Sequence, residues 1–310
     1  MGYAVVLGEA LVDLLDTDVD GQPVYRPAIG GGPLNVAVAV ARLGGGVQFV
    51  GSLGDDALAD RIRAFLVSAG VGVAGTVTVP APTALAVATF AGPEPDFRFY
   101  GEPRSYALLT ADDLDVALVE GADVLYCGSI VLLHPPVLAA ARRAWRMAGA
   151  LRVFDPNVRP RLLGAPGALS ALREVVAEFA ASAHLVKLST ADAEVLYPGE
   201  PVDGVAAYLR ELGAATVVVT LGEDGALVTA GSDLVRIPAP KVRALDATGA
   251  GDSVMGALIA DLLVDGEPED PVGWQQRVAF GLRVAALVCE SPGGAISMPT
   301  RPAVAARFPT

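Results

Sequence analysis

A mainly parallel α/β sheet sandwiched by helices, with a second small β-sheet attached, is the fold this sequence predicts. Three observations predict it. From Asp123 onward apolar strand-like runs alternate with helical ones, as in a chain of βα units. Between about Val73 and Tyr100 that rhythm gives way to short alternating runs broken by Pro80, Pro82, Gly92, Pro93 and Pro95, the pattern of strands inserted into a βα chain. Near the C-terminus, Asp-Ala-Thr-Gly-Ala-Gly-Asp-Ser at 246–253 runs straight into Val254-Met255-Gly256-Ala257-Leu258-Ile259-Ala260, apolar enough to be a buried helix.

The 310 residues exceed a typical single domain but suit one large α/β domain spanning 1–310, its small sheet drawn from about 12–30 and 73–104. Positive mean hydropathy promises an ample core, and no apolar run reaches the length of a membrane span. Met1-Gly2-Tyr3-Ala4 leads into strand-like residues with no basic segment before them, so no signal peptide is expected. Cys127 and Cys289 both sit in apolar surroundings and read as free thiols of a reducing cytoplasm. A net charge of −13 argues against nucleic acid or an anionic membrane as partner. Lys187 and Lys241 are the only lysines and neither has the glycines of a GxxxxGK[ST] phosphate loop. No GxGxxG follows the first strand either, which removes the main support for a dinucleotide fold.

Taken in order, Tyr3 to Gly8 reads as a buried strand and is followed by Glu9-Ala10-Leu11-Val12-Asp13. Asp13 interrupts an apolar run, which suits either a water-facing strand end or a ligand-binding carboxylate. Residues 16–29 are polar and turn-rich. Gly30-Gly31-Gly32-Pro33-Leu34-Asn35 then opens a helix reaching roughly to Leu43, with Pro33 at its first positions and Gly44-Gly45-Gly46 ending it. Val47 to Gly51 is a strand, and Leu58, Ile62, Phe65 and Leu66 share one face of the helix after it. In the strand cluster, Phe97-Arg98-Phe99-Tyr100 reads as the substrate-facing edge of a lid that would exclude water.

Strand 123–128 ends at Gly128-Ser129, and strand 151–155 ends at Asp155-Pro156-Asn157-Val158-Arg159. Ligands of open α/β sheets sit at such carboxyl ends. After strand 184–188, Ser189 suits a helix N-cap, with Asp192 completing a capping box. Thr220-Leu221-Gly222-Glu223-Asp224-Gly225 reads as a turn between two strands, and the last long helix spans about 271–289. At 249–251, small residues allow a ligand to approach the start of the following helix, where free amides and the helix dipole favour an anion. Asp252 lies in the same first turn. A carboxylate beside an anion hole suits phosphoryl transfer to a hydroxyl: the acid takes the proton, and the amides hold the charge on the moving group.

The octapeptide at 246–253 resembles the C-terminal signature of ribokinase-like (pfkB-type) carbohydrate kinases, and Gly30, Gly31 and Asn35 are similar to that family's N-terminal di-glycine signature. Gly8-Glu9-Ala10-Leu11-Val12-Asp13 and Asp155-x-Asn157-x-Arg159 look most like the fructokinase and 2-keto-3-deoxygluconate kinase branch. The resemblance, running from about residue 8 to 299, implies a ribokinase-like fold and ATP-dependent phosphorylation of a primary sugar hydroxyl, fructose ahead of 2-keto-3-deoxygluconate. A different class remains beside it, a sugar-binding sensor without turnover, which the intact Asp252 disfavours.

It further implies Asp252 as the base, an anion hole at Gly249, Ala250 and Gly251, and Arg159 near the transferred phosphate. Asp13, Gly30, Gly31, Asn35, Arg98, Tyr100, Asp155 and Asn157 would surround the sugar. Lys187, Ser189, Thr220, Gly222, Gly225, Gly249 and Gly251 would take the nucleotide. Ser189 and Asp192 stand, in altered form, where the family's Asn-x-x-Glu positions magnesium and phosphate through water, with Glu194 as a helper, and Asp246 and Thr248 where many members bind a monovalent cation such as potassium. A homodimer through the lid also follows from the resemblance. One departure stands out: relatives often carry Tyr-Arg where this chain has Tyr100-Gly101, so Arg98 or Arg104 would have to bring that charge from elsewhere.

Overall fold

The computed structural model describes residues 2–90, 95–128, 130–147, 149–231 and 233–309. The turn expected at Gly92-Pro93 and the strand end expected at Ser129 lie outside them. In chain order the strands are β1 (Tyr3–Leu7), β2 (Leu11–Val19), β3 (Gln22–Gly30), β4 (Gly46–Leu53), β5 (Thr76–Thr78), β6 (Leu85–Phe90) and β7 (Pro95–Tyr100), then β8 (Val124–Gly128), β9 (Leu151–Asp155), β10 (Leu185–Ser189), β11 (Thr216–Thr220), β12 (Ala226–Ala230) and β13 (Asp233–Ile237). The helices are α1 (Gly32–Arg42), α2 (Ala57–Ser68), α3 (Val116–Glu120), α4 (Pro135–Met147), α5 (Ala168–Ala180), α6 (Thr190–Leu196), α7 (Val202–Leu212), α8 (Ala250–Asp265), α9 (Pro271–Cys289) and α10 (Arg301–Arg307).

Nine strands form one sheet in the order β13-β12-β11-β10-β9-β8-β1-β4-β5, and four form a second in the order β3-β2-β6-β7. Only the pairings of β12 with β11 and β13 are antiparallel in the large sheet. Its central strands are buried on both faces, as parallel strands covered by helices must be. Along β1, Ala4 and Val6 join the core beneath α1, α8 and α9, whereas Val5 and Leu7 join the core beneath α4, α5 and α7. From β1 the chain moves outward to β4 on one side and returns to β8 on the other. This reversal opens a crevice at the carboxyl ends of β1 and β8.

The small sheet differs from the sequence reading in two ways. Residues 16–29 are not a loop. They complete a hairpin of two nine-residue strands, turned at Asp20 and Gly21 with φ 54° and 79°. Their polarity reflects the exposure of the hairpin's outer part, not a lack of strand structure. The second correction concerns the segment from 73: β5 pairs in parallel with β4 and so extends the main sheet. The small sheet's second half therefore starts at β6, which joins β2 in parallel through Val12↔Leu85 and Asp13↔Ala86.

Both cysteines are free thiols, Cys127 buried and Cys289 half-buried. Among the described residues no helix is long and apolar enough to cross a membrane.

Candidate active site

Gly249 caps α8 in the left-handed region (φ 79°), and a Cβ there would lie 3.1 Å from the Gly294 Cα. The first intrahelical bond runs from Ser253 N to the Gly249 carbonyl (2.8 Å), so the amides of Gly251 and Asp252 precede it at the open helix start. Ala250 departs from expectation: its N–H already donates to the Ala247 carbonyl (3.1 Å), closing the turn that presents the other two.

One turn further along, Gly256 lets α8 press against α1. A Cβ on Gly256 would come within 2.3 Å of the Ala39 Cβ. Asn35 lies four residues before Ala39 and Asp252 four before Gly256, so the same two faces meet again at the helix starts. There the Asn35 Nδ2 donates to Asp252 Oδ2 at 2.8 Å. Asn157 Nδ2 approaches Oδ1 at 3.3 Å. The expected partners Asp252, Asn35 and Asn157 are thus brought together from α8, α1 and the loop after β9.

That loop is held in an unusual shape. Asn157 has φ 38°, and its N–H donates to its neighbour Asp155 Oδ1 at 3.1 Å. Val158 N donates to Asp192 Oδ1 at 2.7 Å, and Asp192 Oδ2 accepts from both Ser189 N and Ser189 Oγ. Asp192 therefore caps α6 and pins the Asn157–Arg159 turn simultaneously. Beneath the turn, Lys187 Nζ donates to Asp155 Oδ2 at 2.6 Å in a pair with 4% and 0% exposure. The ammonium also lies 3.2 Å from where a Cβ on Gly251 would be, directly behind the amides at the start of α8.

Burial raises the Asp252 carboxyl above its usual range, against the pull of Lys187, the Asn35 hydrogen bond and Arg159. The result is a stronger base than a surface aspartate, with two cations nearby to keep it ionised. Burial likewise pushes Asp155 up to about 6, opposed chiefly by Lys187. Burial works to lower the Lys187 pKa, yet the charges of Asp155 and Asp252 leave it raised.

Asp13 belongs to the same electrostatic neighbourhood. Burial pushes it up to about 7, with Arg159 opposing and Asp252 adding to the rise. A Cβ on Gly30 would fall 2.2 Å from Asp13 Oδ2, so only glycine leaves room for that carboxylate. Register partners share a sheet face, and Asp13 lines up with Ala86, which lines up with Phe99. Arg98 and Tyr100 alternate to the opposite face, and both are exposed. The expected substrate-facing edge is therefore corrected: Phe99, not Arg98 or Tyr100, stands on the side of Asp13.

Toward the other end, Thr220 is in register with Ser189, and its carbonyl accepts from Thr190 Oγ1 at 3.0 Å. Gly222 and Gly225 shape the turn that follows, where a Cβ on Gly225 would collide with the Ile237 carbonyl. Asp246 joins two loops, accepting from Thr248 N at 2.8 Å and Gly293 N at 3.0 Å. Each of its oxygens keeps a lone pair, which fits a monovalent cation between these loops. For a divalent cation the fit is narrower. Among the described residues no three His, Cys, Asp or Glu side chains cluster as ligands. Asp192 Oδ1 retains one lone pair, which suits a water-mediated contact to phosphate-bound magnesium. Glu194 is exposed and turned to the amide of Gly199, so it is not brought to the cluster.

Two contributors were missed by sequence reasoning. Glu9, 2% exposed, accepts from Gly32 N at 3.2 Å and fixes the glycine turn before α1. Tyr126 on β8 is fully buried, facing the charges of Asp155 and Asp252. A buried acid at a strand end was the available signal for the first; Tyr126 gave none.

The family model for pfkB family carbohydrate kinases matches residues 1–301. The chain belongs to this family. Among curated relatives of the kinase, Fructokinase-1 of Zea mays is 36% identical over 96% of this chain and 94% of its own length. Fructokinase-2 of Solanum lycopersicum is 34% identical with the same coverages. Among solved structures, Xylella fastidiosa fructokinase with bound ATP has a TM-score of 0.88 at 28% identity, covering 98% of the kinase and 97% of its own chain. The Vibrio cholerae O395 fructokinase with fructose, ADP and calcium ion has a TM-score of 0.89 at 27% identity, covering 99% and 98%. The kinase is thus an ATP-dependent sugar kinase of ribokinase-like fold.

Proposed function

We propose that the kinase transfers the γ-phosphoryl group of ATP to a primary hydroxyl of fructose, with Asp252 as the base. One observation carries the proposal: Asp252 is held by Asn35 and Asn157 next to the open amides of α8, with Lys187 behind them and Arg159 beside it. Asp13 and the glycine turn at Gly30-Gly31 hold sugar hydroxyls, and Asn35 and Asn157 orient the base. Asp252 takes the proton as the sugar oxygen attacks phosphorus. The amides of Gly251 and Asp252 and the Arg159 guanidinium stabilise charge on the transferred group. The nucleotide lies over the ends of β10 and β11, beside Ser189, Thr220, Gly222 and Gly225. A bound magnesium ion would supply charge neutralisation on the phosphates, and Asp192 is the residue that would hold it.

The fructose assignment is supported by the fructokinase relatives and by the Vibrio cholerae structure named for bound fructose. A potassium ion at the Asp246 and Thr248 loop, a cytoplasmic location and a homodimer through the small sheet, whose Tyr25 and Tyr100 are exposed, belong to the same proposal.

ADP release across a sugar panel tests it. Fructose should give the highest kcat/KM, and EDTA should abolish turnover. A preference for 2-keto-3-deoxygluconate by more than about tenfold, about 1.4 kcal/mol of transition-state binding, would make the fructose assignment wrong. Turnover of no sugar at all would favour a sensor.

Asp13 offers a second test. Its folded pKa of about 7 lies above the ordinary carboxylate value, so the folded state holds a proton that the unfolded chain has released. Stability present at low pH is therefore lost as pH rises from about 4 through 7. Asp13→Asn should melt higher than wild type at pH 8 and lose that advantage near pH 4. Its fructose KM should nonetheless rise about tenfold or more, because a charged acceptor is gone. Calorimetry and kinetics on the same preparation check both; a variant that binds sugar normally would remove Asp13 from the site.

A further inference from the structure

We propose that Arg104, together with Tyr106, is the specificity-determining pair that grips the sugar hydroxyls distant from the phosphorylated one. This deepens the sugar-kinase reading and rests on it. Gly101 adopts φ 105°, a region that side chains disfavour, so no charged side chain stands at that position without strain. Three residues later Arg104 extends back over the sheet, its guanidinium carbon 6.0 Å from the centre of the Phe99 ring. Phe99 is in line with Ala86 and Asp13, two strand spacings or about 10 Å from Asp13 along one face. Arg104 thereby delivers a charge to the face that bears Asp13.

The polar atoms around Arg104 are set up for a ligand. Its side chain is 19% exposed, and its ion pair reaches only the solvent-facing Glu102, at 3.2 Å. Arg104 Nε and the Tyr106 O–H are buried with no acceptor among the described residues, and the Tyr106 oxygen lies against the Arg104 side chain. Buried donors left open in this way need an acceptor that the protein does not provide. Arg104 and Glu9 are the leading charges facing the Tyr106 hydroxyl, and His134 packs edge-on against its ring at 5.7 Å. Glu9 in turn holds Gly32 at the start of α1, one turn before Asn35. The pair thus lies between Phe99 and the helix start that positions the base. A neutral polyol offers lone pairs to a guanidinium N–H and to a phenol at once, which matches a ketose better than an apolar aglycone.

Arg104→Leu keeps an aliphatic stem on Phe99 and removes the donors; Tyr106→Phe removes one hydroxyl. In Arg104→Leu the fructose KM should rise about tenfold or more, with ATP KM within twofold and kcat within a few fold. Arg104→Lys should fall between, restoring the charge without the planar fork. Tyr106→Phe should raise fructose KM about threefold or more, and it decides the matter if Arg104→Leu does not fold. An unchanged fructose KM in folded Arg104→Leu, or in Tyr106→Phe when that variant decides, overturns the proposal while leaving the kinase reading intact. Absence of sugar turnover in the wild type overturns both.

Discussion

Asp252→Asn should lower kcat by about 10²–10⁴ while fructose and ATP affinities stay within a few fold of wild type. Asparagine is nearly isosteric and can still meet Asn157 and the sugar hydroxyl, so the ground-state complex should survive. It cannot take the proton as the hydroxyl attacks phosphorus. The amides at the start of α8 belong to the backbone, and the Gly256–Ala39 contact keeps α1 and α8 in place whatever side chain stands at 252. The defect should consequently lie in kcat and not in KM. Steady-state kinetics beside isothermal titration separates the outcomes. Near-normal kcat would show that the base lies elsewhere, and lost sugar binding would make Asp252 chiefly a ligand-holding group.

Lys187→Met should produce the largest loss of stability, about 3–5 kcal/mol, because it leaves a fully buried carboxylate without its cation. The sign of the pH dependence follows from Asp155. With a pKa near 6 even beside Lys187, this carboxyl is charged at pH 8 and substantially protonated at pH 5. The variant should therefore lose more stability at pH 8 than at pH 5, and replacing Asp155 by Leu in the same chain should recover much of the loss. Lys187 is also the leading charge holding down the Asp252 pKa. Its removal should move the acid limb of the kcat/KM profile to higher pH. Urea denaturation at the two pH values and a pH–rate profile measure both effects. Equal destabilisation at pH 5 and 8 would contradict the buried-charge explanation.

The fold was legible wherever local pattern and packing agree. The apolar runs of β8 to β11, the Ser189–Asp192 cap and the 271–289 helix are all written in residue type and spacing, and the structure has them. The β2–β3 hairpin was not, because its outer half is exposed and carries few apolar residues to mark strand alternation. The fate of β5 was hidden for another reason: three residues can join either sheet, and pairing with β4 is decided by tertiary contact. In the site, glycines and acids pointed to Asp252, Asn35 and Asn157, which the structure brings together. Pairings between distant strands stayed invisible, as with Lys187 on Asp155, since sequence shows a charge but not what it faces. Tyr100 was misplaced by one residue of β-strand alternation, a slip that reverses the face of every side chain in the run.

In the proposed reaction the kinase moves a phosphoryl group onto a sugar while Asp252 takes the proton. Single-turnover NMR with fructose, magnesium and ATP, run on wild type and Asp252→Asn at equal saturation, tests it most directly. Wild type should form one primary phosphate ester per ADP, while the fructose-bound variant should form almost none over the same interval. Ester formation by the variant at the wild-type rate, or wild-type ADP release with inorganic phosphate and no ester, would contradict it.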